Sequence, residues 1–143
     1  MNLTIRPATP ADLPLVARLI RALADYEKLA HEVRFDETVL GQKLFGPRPY
    51  AEVVIGEVDG VAQGFALFFH NFSTFEGKPG IYLEDLFVQP EARGSGMGKA
   101  LLAHLAIPTE ITLSILVNGE RQAPNYALRA GDVVKLIPLL TGG

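Results

Sequence analysis

Leu3 and Ile5 alternate with polar neighbours, which predicts a short first strand that Pro7 ends. Thr9-Pro10-Ala11-Asp12 then reads as a helix start, with Thr9 as N-cap, proline at the first helical position and an acid near the positive end. Leu13, Val16, Ala17, Ile20, Leu23 and Ala24 follow at helical spacing and form an apolar stripe that belongs in a core. A second helix is expected from about Asp36 to the Gly46-Pro47 stop, with Val39, Leu40 and Leu44 inward. Residues 51–58 and 61–70 read as strands joined by Asp59-Gly60, a pair that tolerates positive φ and so marks a tight hairpin. Residues 71–80, rich in glycine and polar residues, read as a loop. The stretch 81–88 is an apolar and aromatic strand with Glu84 and Asp85 embedded in it and Pro90 beyond its end. A glycine-rich turn and a helix over 99–106 complete this part. After Ile107-Pro108 the pattern changes: strands are expected over 111–117 and 133–139, turns at Asn118-Gly119 and Ala130-Gly131-Asp132, and a loop around Pro124.

A chain of 143 residues supports one compact domain. With 48% hydrophobic and 20% charged residues it has the composition of a globular protein rather than a disordered or fibrous one. The net charge of −3, with no basic run, argues against nucleic-acid binding and permits a cationic small-molecule substrate. The absence of cysteine excludes disulfides, thiolate zinc sites and a cysteine nucleophile, and agrees with a cytoplasmic location. No apolar run reaches membrane-spanning length and the N-terminus has no signal-like apolar region, so neither membrane insertion nor export is expected. His31, His70 and His104 lie on different predicted elements without ligand spacing, and no metal is expected.

Candidate chemistry concentrates between Tyr82 and Ala106. Arg93, Gly94, Ser95, Gly96, Met97 and Gly98 place three glycines at alternate positions, ahead of a helix that begins with Lys99. Glycines there free the backbone N–H groups from Cβ obstruction, and a helix N-terminus adds its positive dipole end. Spacing alone leaves two readings open, a tight strand-to-helix turn and a phosphate loop. The flanks point to the second. Arg-x-x-Gly-x-Gly after a strand reading Leu-Glu-Asp-Leu-Phe-Val resembles the acetyl-CoA-binding motif of the GNAT N-acetyltransferases, with a match close to their polyamine (spermidine/spermine) branch. The resemblance covers residues 1–106 and implies the α/β (α+β) GNAT fold, a mixed sheet flanked by helices.

By that resemblance, main-chain groups of Leu86, Phe87 and Val88 hold the pantetheine arm of acetyl-CoA, and Arg93 through Lys99 cradle its pyrophosphate. Glu84 is the implied catalytic base, acting directly or through water on a substrate ammonium. Tyr26 and Glu27 match a Tyr-Glu pair that binds polyamine, and Asp85 joins them as an expected substrate-binding residue. As neighbours on a strand, Glu84 and Asp85 are expected on opposite faces. The implied reaction is acetyl transfer to a small, polyamine-like amine.

The last part resembles another family. Val-Asn-Gly-Glu, Leu-Arg-Ala-Gly-Asp-Val-Val and Ile-Pro-Leu-Leu-Thr-Gly-Gly, in that order, are similar to the C-terminal half of the β-grasp sulfur carriers of molybdopterin and thiazole synthesis. The chain therefore reads as a fusion or chimera with its seam near Ala106-Ile107: a GNAT-like part, 1–106, and a β-grasp-like tail, 107–143, within one domain. Strand 111–117 is expected beside the strand carrying Glu84, continuing one sheet. The family's tyrosine-bearing helix is missing; Tyr126 reads as a loop residue, and reduced activity is expected. Two rival readings follow. One is a recombined or designed chain with no activity of its own. The other is a carrier acting through Gly142 and Gly143, with an activating enzyme as partner. An uncovered sheet edge would favour a homodimer through strand pairing.

Overall fold

The computed structural model describes residues 1–105, 113–122 and 134–138. Gly142, Gly143, Tyr126 and the expected seam at Ala106-Ile107 lie outside the described residues. Strand β1 (Leu3–Pro7) is followed by a 3-10 turn, Pro10–Asp12, and helix α1 (Leu13–Tyr26). Thr9 thus caps the short turn, and the α-helix starts three residues later than the proline suggests. Helix α2 (Glu37–Phe45) begins where Asp36 accepts a hydrogen bond from the Val39 N–H at 3.1 Å. Val39 remains 47% exposed, contrary to its expected inward position, while Leu44 is buried. Positions five apart lie about 140° from each other around a helix axis, so a helix packed on one side buries one of them and exposes the other.

Strands β2 (Glu52–Val58), β3 (Val61–Ser73) and β4 (Lys78–Val88) form a meander with β1 at its outer edge, in the order β1-β2-β3-β4 with antiparallel neighbours. Asp59 and Gly60 both take positive φ, 51° and 80°, as the hairpin requires. The expected loop over 71–80 is instead mostly strand. Phe72 pairs with Pro79 and Ser73 with Lys78, so the turn is only Thr74 to Gly77. Ser73 holds it, its Oγ accepting from the Glu76 N–H at 3.2 Å and its carbonyl from Gly77 at 2.9 Å.

Apolar alternation then sorts the helices onto two faces. Val53, Ile55, Phe65 and Phe87 pack against Val16, Leu19 and Leu23 of α1 and Leu44 of α2. On the other face Val54, Ala66, Phe68, Leu83 and Leu86 pack against Met97, Leu101 and Leu105, from helix α3 (Met97–His104) and its end.

Strand β5 (Leu113–Val117) turns through Asn118-Gly119, at φ 55° and 83°, into β6 (Glu120–Gln122), and β7 (Val134–Pro138) pairs with the other side of β5. These three strands form their own ladder, β6-β5-β7. It is β7 that lies alongside β4, so strand 111–117 is not the neighbour of the Glu84 strand. The tight Asn-Gly hairpin commits one edge of β5 to β6, and β7 takes the other edge, which leaves β7 to face the meander.

Candidate active site

The glycine turn joins β4 to α3 through a 3-10 turn, Pro90–Ala92. Gly94 and Gly96 take φ of 84° and 87°, the left-handed region that side-chain-bearing residues resist. Gly96 is the N-cap of α3. Ser95 N–H donates to the Ala92 carbonyl at 3.3 Å, and Met97 N–H to Ser95 Oγ at 3.3 Å. The first helical carbonyl bond is from Ala100 to Gly96 at 3.0 Å. Among the described residues, the N–H groups of Gly94, Gly96, Gly98 and Lys99 donate to no carbonyl or side chain, as expected for amides ahead of a helix's first closed turn. A Cβ added at Gly94, Gly96 or Gly98 would meet nothing within 4 Å, so these amides border open space. An anion at the positive end of α3 would find both room and donors.

Met97, expected in the coenzyme site, turns its side chain into the core. Its side chain is 1% exposed and fills a notch made by two strand glycines. A Cβ on Gly56 would approach Met97 Sδ to 2.8 Å and one on Gly64 to 2.7 Å. These partners face each other across β2 and β3. The notch was missed in the sequence, although isolated glycines inside two adjacent strands are the signal of a close approach.

Arg93 stands at the entry to the glycine turn. Its Nε donates to the Val88 carbonyl at 3.0 Å, and its guanidinium lies 4.4 Å from the Tyr26 ring centroid and 5.9 Å from that of Phe87. The side chain is thus packed between the end of β4 and the end of α1 rather than directed along the glycine turn. Tyr26 and Phe87 are themselves in contact, with centroids 6.3 Å apart. Glu27 follows as the C-cap of α1, its N–H donating to the Leu23 carbonyl.

A bulge sets the positions of the two acids. Leu67 pairs with Asp85 but Phe68 pairs with Leu83, which makes Glu84 the extra residue of β4. This explains why Leu83 and Leu86, three apart, share the α3 face. Asp85, opposite Leu67, falls on the α1 face with Phe87. Glu84 is exposed. The two acids therefore stay separated, by a bulge rather than by plain alternation. Leu86 is buried and Val88 half-buried on the α3 face; the register pairs the Phe87 main chain with Phe65, so it is the main-chain groups of Leu86 and Val88 that turn away from β3, toward the side where β7 lies, and the Val88 oxygen is taken by Arg93.

The family model of the GNAT acetyltransferases matches residues 17–107, nearly two-thirds of the sequence. The chain belongs to the GNAT acetyltransferase family. A second model, that of the ThiS family, matches residues 83–143. Thialysine N-epsilon-acetyltransferase of Bos taurus is 37% identical, over 92% of this chain and 85% of the relative. The enzyme of the same description from Mus musculus is 34% identical over 71% of this chain, which spans 64% of that relative's length. L-ornithine N5-acetyltransferase of Arabidopsis thaliana is 29% identical over 71% of this chain and 64% of its own. The solved ribosomal-protein-alanine N-acetyltransferase from Brucella melitensis superposes with a TM-score of 0.61 at 25% identity, over 74% of this chain and 71% of that one. GNAT enzymes use acetyl-CoA as co-substrate, and the open, donor-lined turn ahead of α3 fits its pyrophosphate. Among the described residues no group of three or more metal-ligating side chains gathers, and no helix is long and apolar enough to cross a membrane.

Proposed function

We propose that this GNAT chain transfers the acetyl group of acetyl-CoA to the nitrogen of a small cationic amine. The observation that carries the reading is the set of amides at Gly94, Gly96, Gly98 and Lys99 that are unpaired among the described residues, beside three glycines whose Cβ positions are open, at the start of α3. Acetyl-CoA, when bound, supplies an acetyl thioester. Gly94 to Lys99 bind its pyrophosphate, and the main chain of Leu86 and the Val88 N–H, which turn away from β3, align its arm between β4 and β7, strands that belong to separate hydrogen-bonded ladders. Glu84, carried out of the ladder by the bulge, removes a proton from the substrate ammonium so that the neutral nitrogen can attack. As the new C–N bond replaces the C–S bond, the proton that nitrogen sheds equals the one the departing thiolate gains. Tyr26, Glu27 and Asp85, at the end of α1 and on the face of β4 beneath it, form the amine side. The relatives named for thialysine and ornithine support amines that carry a further charged group.

Release of coenzyme A thiol from acetyl-CoA, measured over thialysine, ornithine and spermidine, tests this. At least one amine is expected to turn over, and Glu84→Gln is expected to lower kcat about a hundredfold or more at unchanged coenzyme affinity. No turnover with any amine, or full activity in Glu84→Gln, contradicts it. A second reading, a carrier activated at Gly142-Gly143, rests on the ThiS match to residues 83–143. It requires ATP-dependent modification of the C-terminus by an activating enzyme, which intact-mass measurement detects.

A further inference from the structure

Gly94 and Gly96 sit in open space at positive φ, so within residues 94–96 it is Ser95 that ties the turn to its flanks, its N–H donating to the Ala92 carbonyl and its Oγ accepting from the Met97 N–H. The position of the turn is set by the residues on either side. On the far side Met97 is anchored in the Gly56/Gly64 notch. On the near side stands Arg93, whose side chain makes two kinds of contact on two different elements. Its Nε–H is bonded to the last carbonyl of β4, at Val88, and its flat guanidinium face lies over Tyr26, the last residue of α1. A guanidinium engaged through both an edge and a face is held in one orientation, which a lysine ammonium could not reproduce.

We propose that Arg93 is a positioning residue: through Val88 and Tyr26 it fixes the entry of the glycine turn, and so couples the amine side of the site to the coenzyme side. The inference rests on the function proposed above but goes beyond it. It makes Tyr26, on a different element from the turn, a determinant of coenzyme affinity. It also gives the Arg93 side chain a role other than pairing with phosphate. A ligand that moves the Tyr26 ring would move the turn entry with it.

The test is a thermodynamic cycle on the full chain, with coenzyme A binding measured by calorimetry and the melting temperature read on the same samples. The proteins are wild type, Tyr26→Leu, Arg93→Gln and the double variant, with Tyr26→Phe as the control that keeps the ring. Tyr26→Leu is expected to weaken coenzyme A binding roughly three- to tenfold, the scale of a partly desolvated cation–π contact. In the Arg93→Gln background the same change is expected to have no further effect, and Tyr26→Phe is expected to retain affinity. Unchanged affinity in Tyr26→Leu overturns the proposal. So does an Arg93→Gln loss of the same size with and without the ring, which would make Arg93 a direct phosphate ligand. If wild type binds no coenzyme A, it is the proposed function that fails. The melting temperatures then decide on Arg93: non-additive shifts support the clamp and additive shifts overturn it.

Discussion

Arg6 grips Asp12 with both ends of its guanidinium, Nη1 to Oδ2 at 2.8 Å and Nη2 to Oδ1 at 2.9 Å, while its Nε reaches Glu57 at 3.1 Å. Asp12 also accepts from the Thr9 N–H at 2.8 Å. The Arg6 hydrogen bonds hold the Asp12 carboxyl well below the usual carboxylate range, against the opposing effect of burial. A carboxyl depressed in the folded state stabilises above its unfolded value near 3.8, and that contribution is lost as pH falls below it. Asp12→Asn is therefore expected to lower the melting temperature at neutral pH, with the gap to wild type closing as the solution is acidified below about pH 4. A gap that widens in acid would contradict the assignment. Asp12 was legible in the sequence as an acid in a first helical turn; its arginine, six residues back on β1, was not, because the pair depends on how the chain bends from strand into the 3-10 turn, which leaves no periodic trace. Glu84 was similarly half legible. Its place in a Leu-Glu-Asp-Leu strand singled it out, but a bulge is a property of two paired strands and leaves no periodic trace in one of them.

Helix α3 is placed by a side chain and two absences of side chains. Met97 occupies space that alanine at position 56 or 64 would invade. At Gly64 the added Cβ would also lie 2.6 Å from the Phe87 carbonyl oxygen, part of the backbone, whereas at Gly56 its three nearest atoms all belong to the flexible methionine. Gly64→Ala should therefore cost more stability than Gly56→Ala in denaturant titrations. Combining Gly56→Ala with Met97→Ala should cost less than the sum of the two, since the methionine truncation, worth about 2–5 kcal/mol alone, removes the clash. Equal costs and strict additivity would argue against the notch. Elements with strong local codes were legible: Asp59-Gly60 gave the hairpin, and the stripe from Val16 to Ala24 gave the buried face of α1. The long β3–β4 arm was not, because Asn71, Gly80 and Pro79 carry weak strand signals and the pairing itself makes them strand.

At the scale of the molecule, the two family matches share residues 83–107, the stretch from the Glu84 strand through the glycine turn and α3. The strands that follow pair as a separate three-stranded ladder whose β7 lies along β4. Sequence showed that a second pattern begins after Ala106, but crossover geometry alone did not reveal which of its strands reaches the first sheet. Covering an edge is a whole-chain property. A chain ending at Leu105 would leave β4 uncovered, and is expected to melt lower and to self-associate in sedimentation; a monomer of unchanged stability would show that β7 protects nothing. The central claim is that the open turn from Gly94 to Lys99 receives coenzyme A, and calorimetric titration of coenzyme A into the full chain tests it most directly. Saturable binding that is lost in Gly96→Val, where a β-branched side chain would be forced to φ 87°, is the predicted result. A protein that melts cooperatively yet gives no heat with coenzyme A would contradict it.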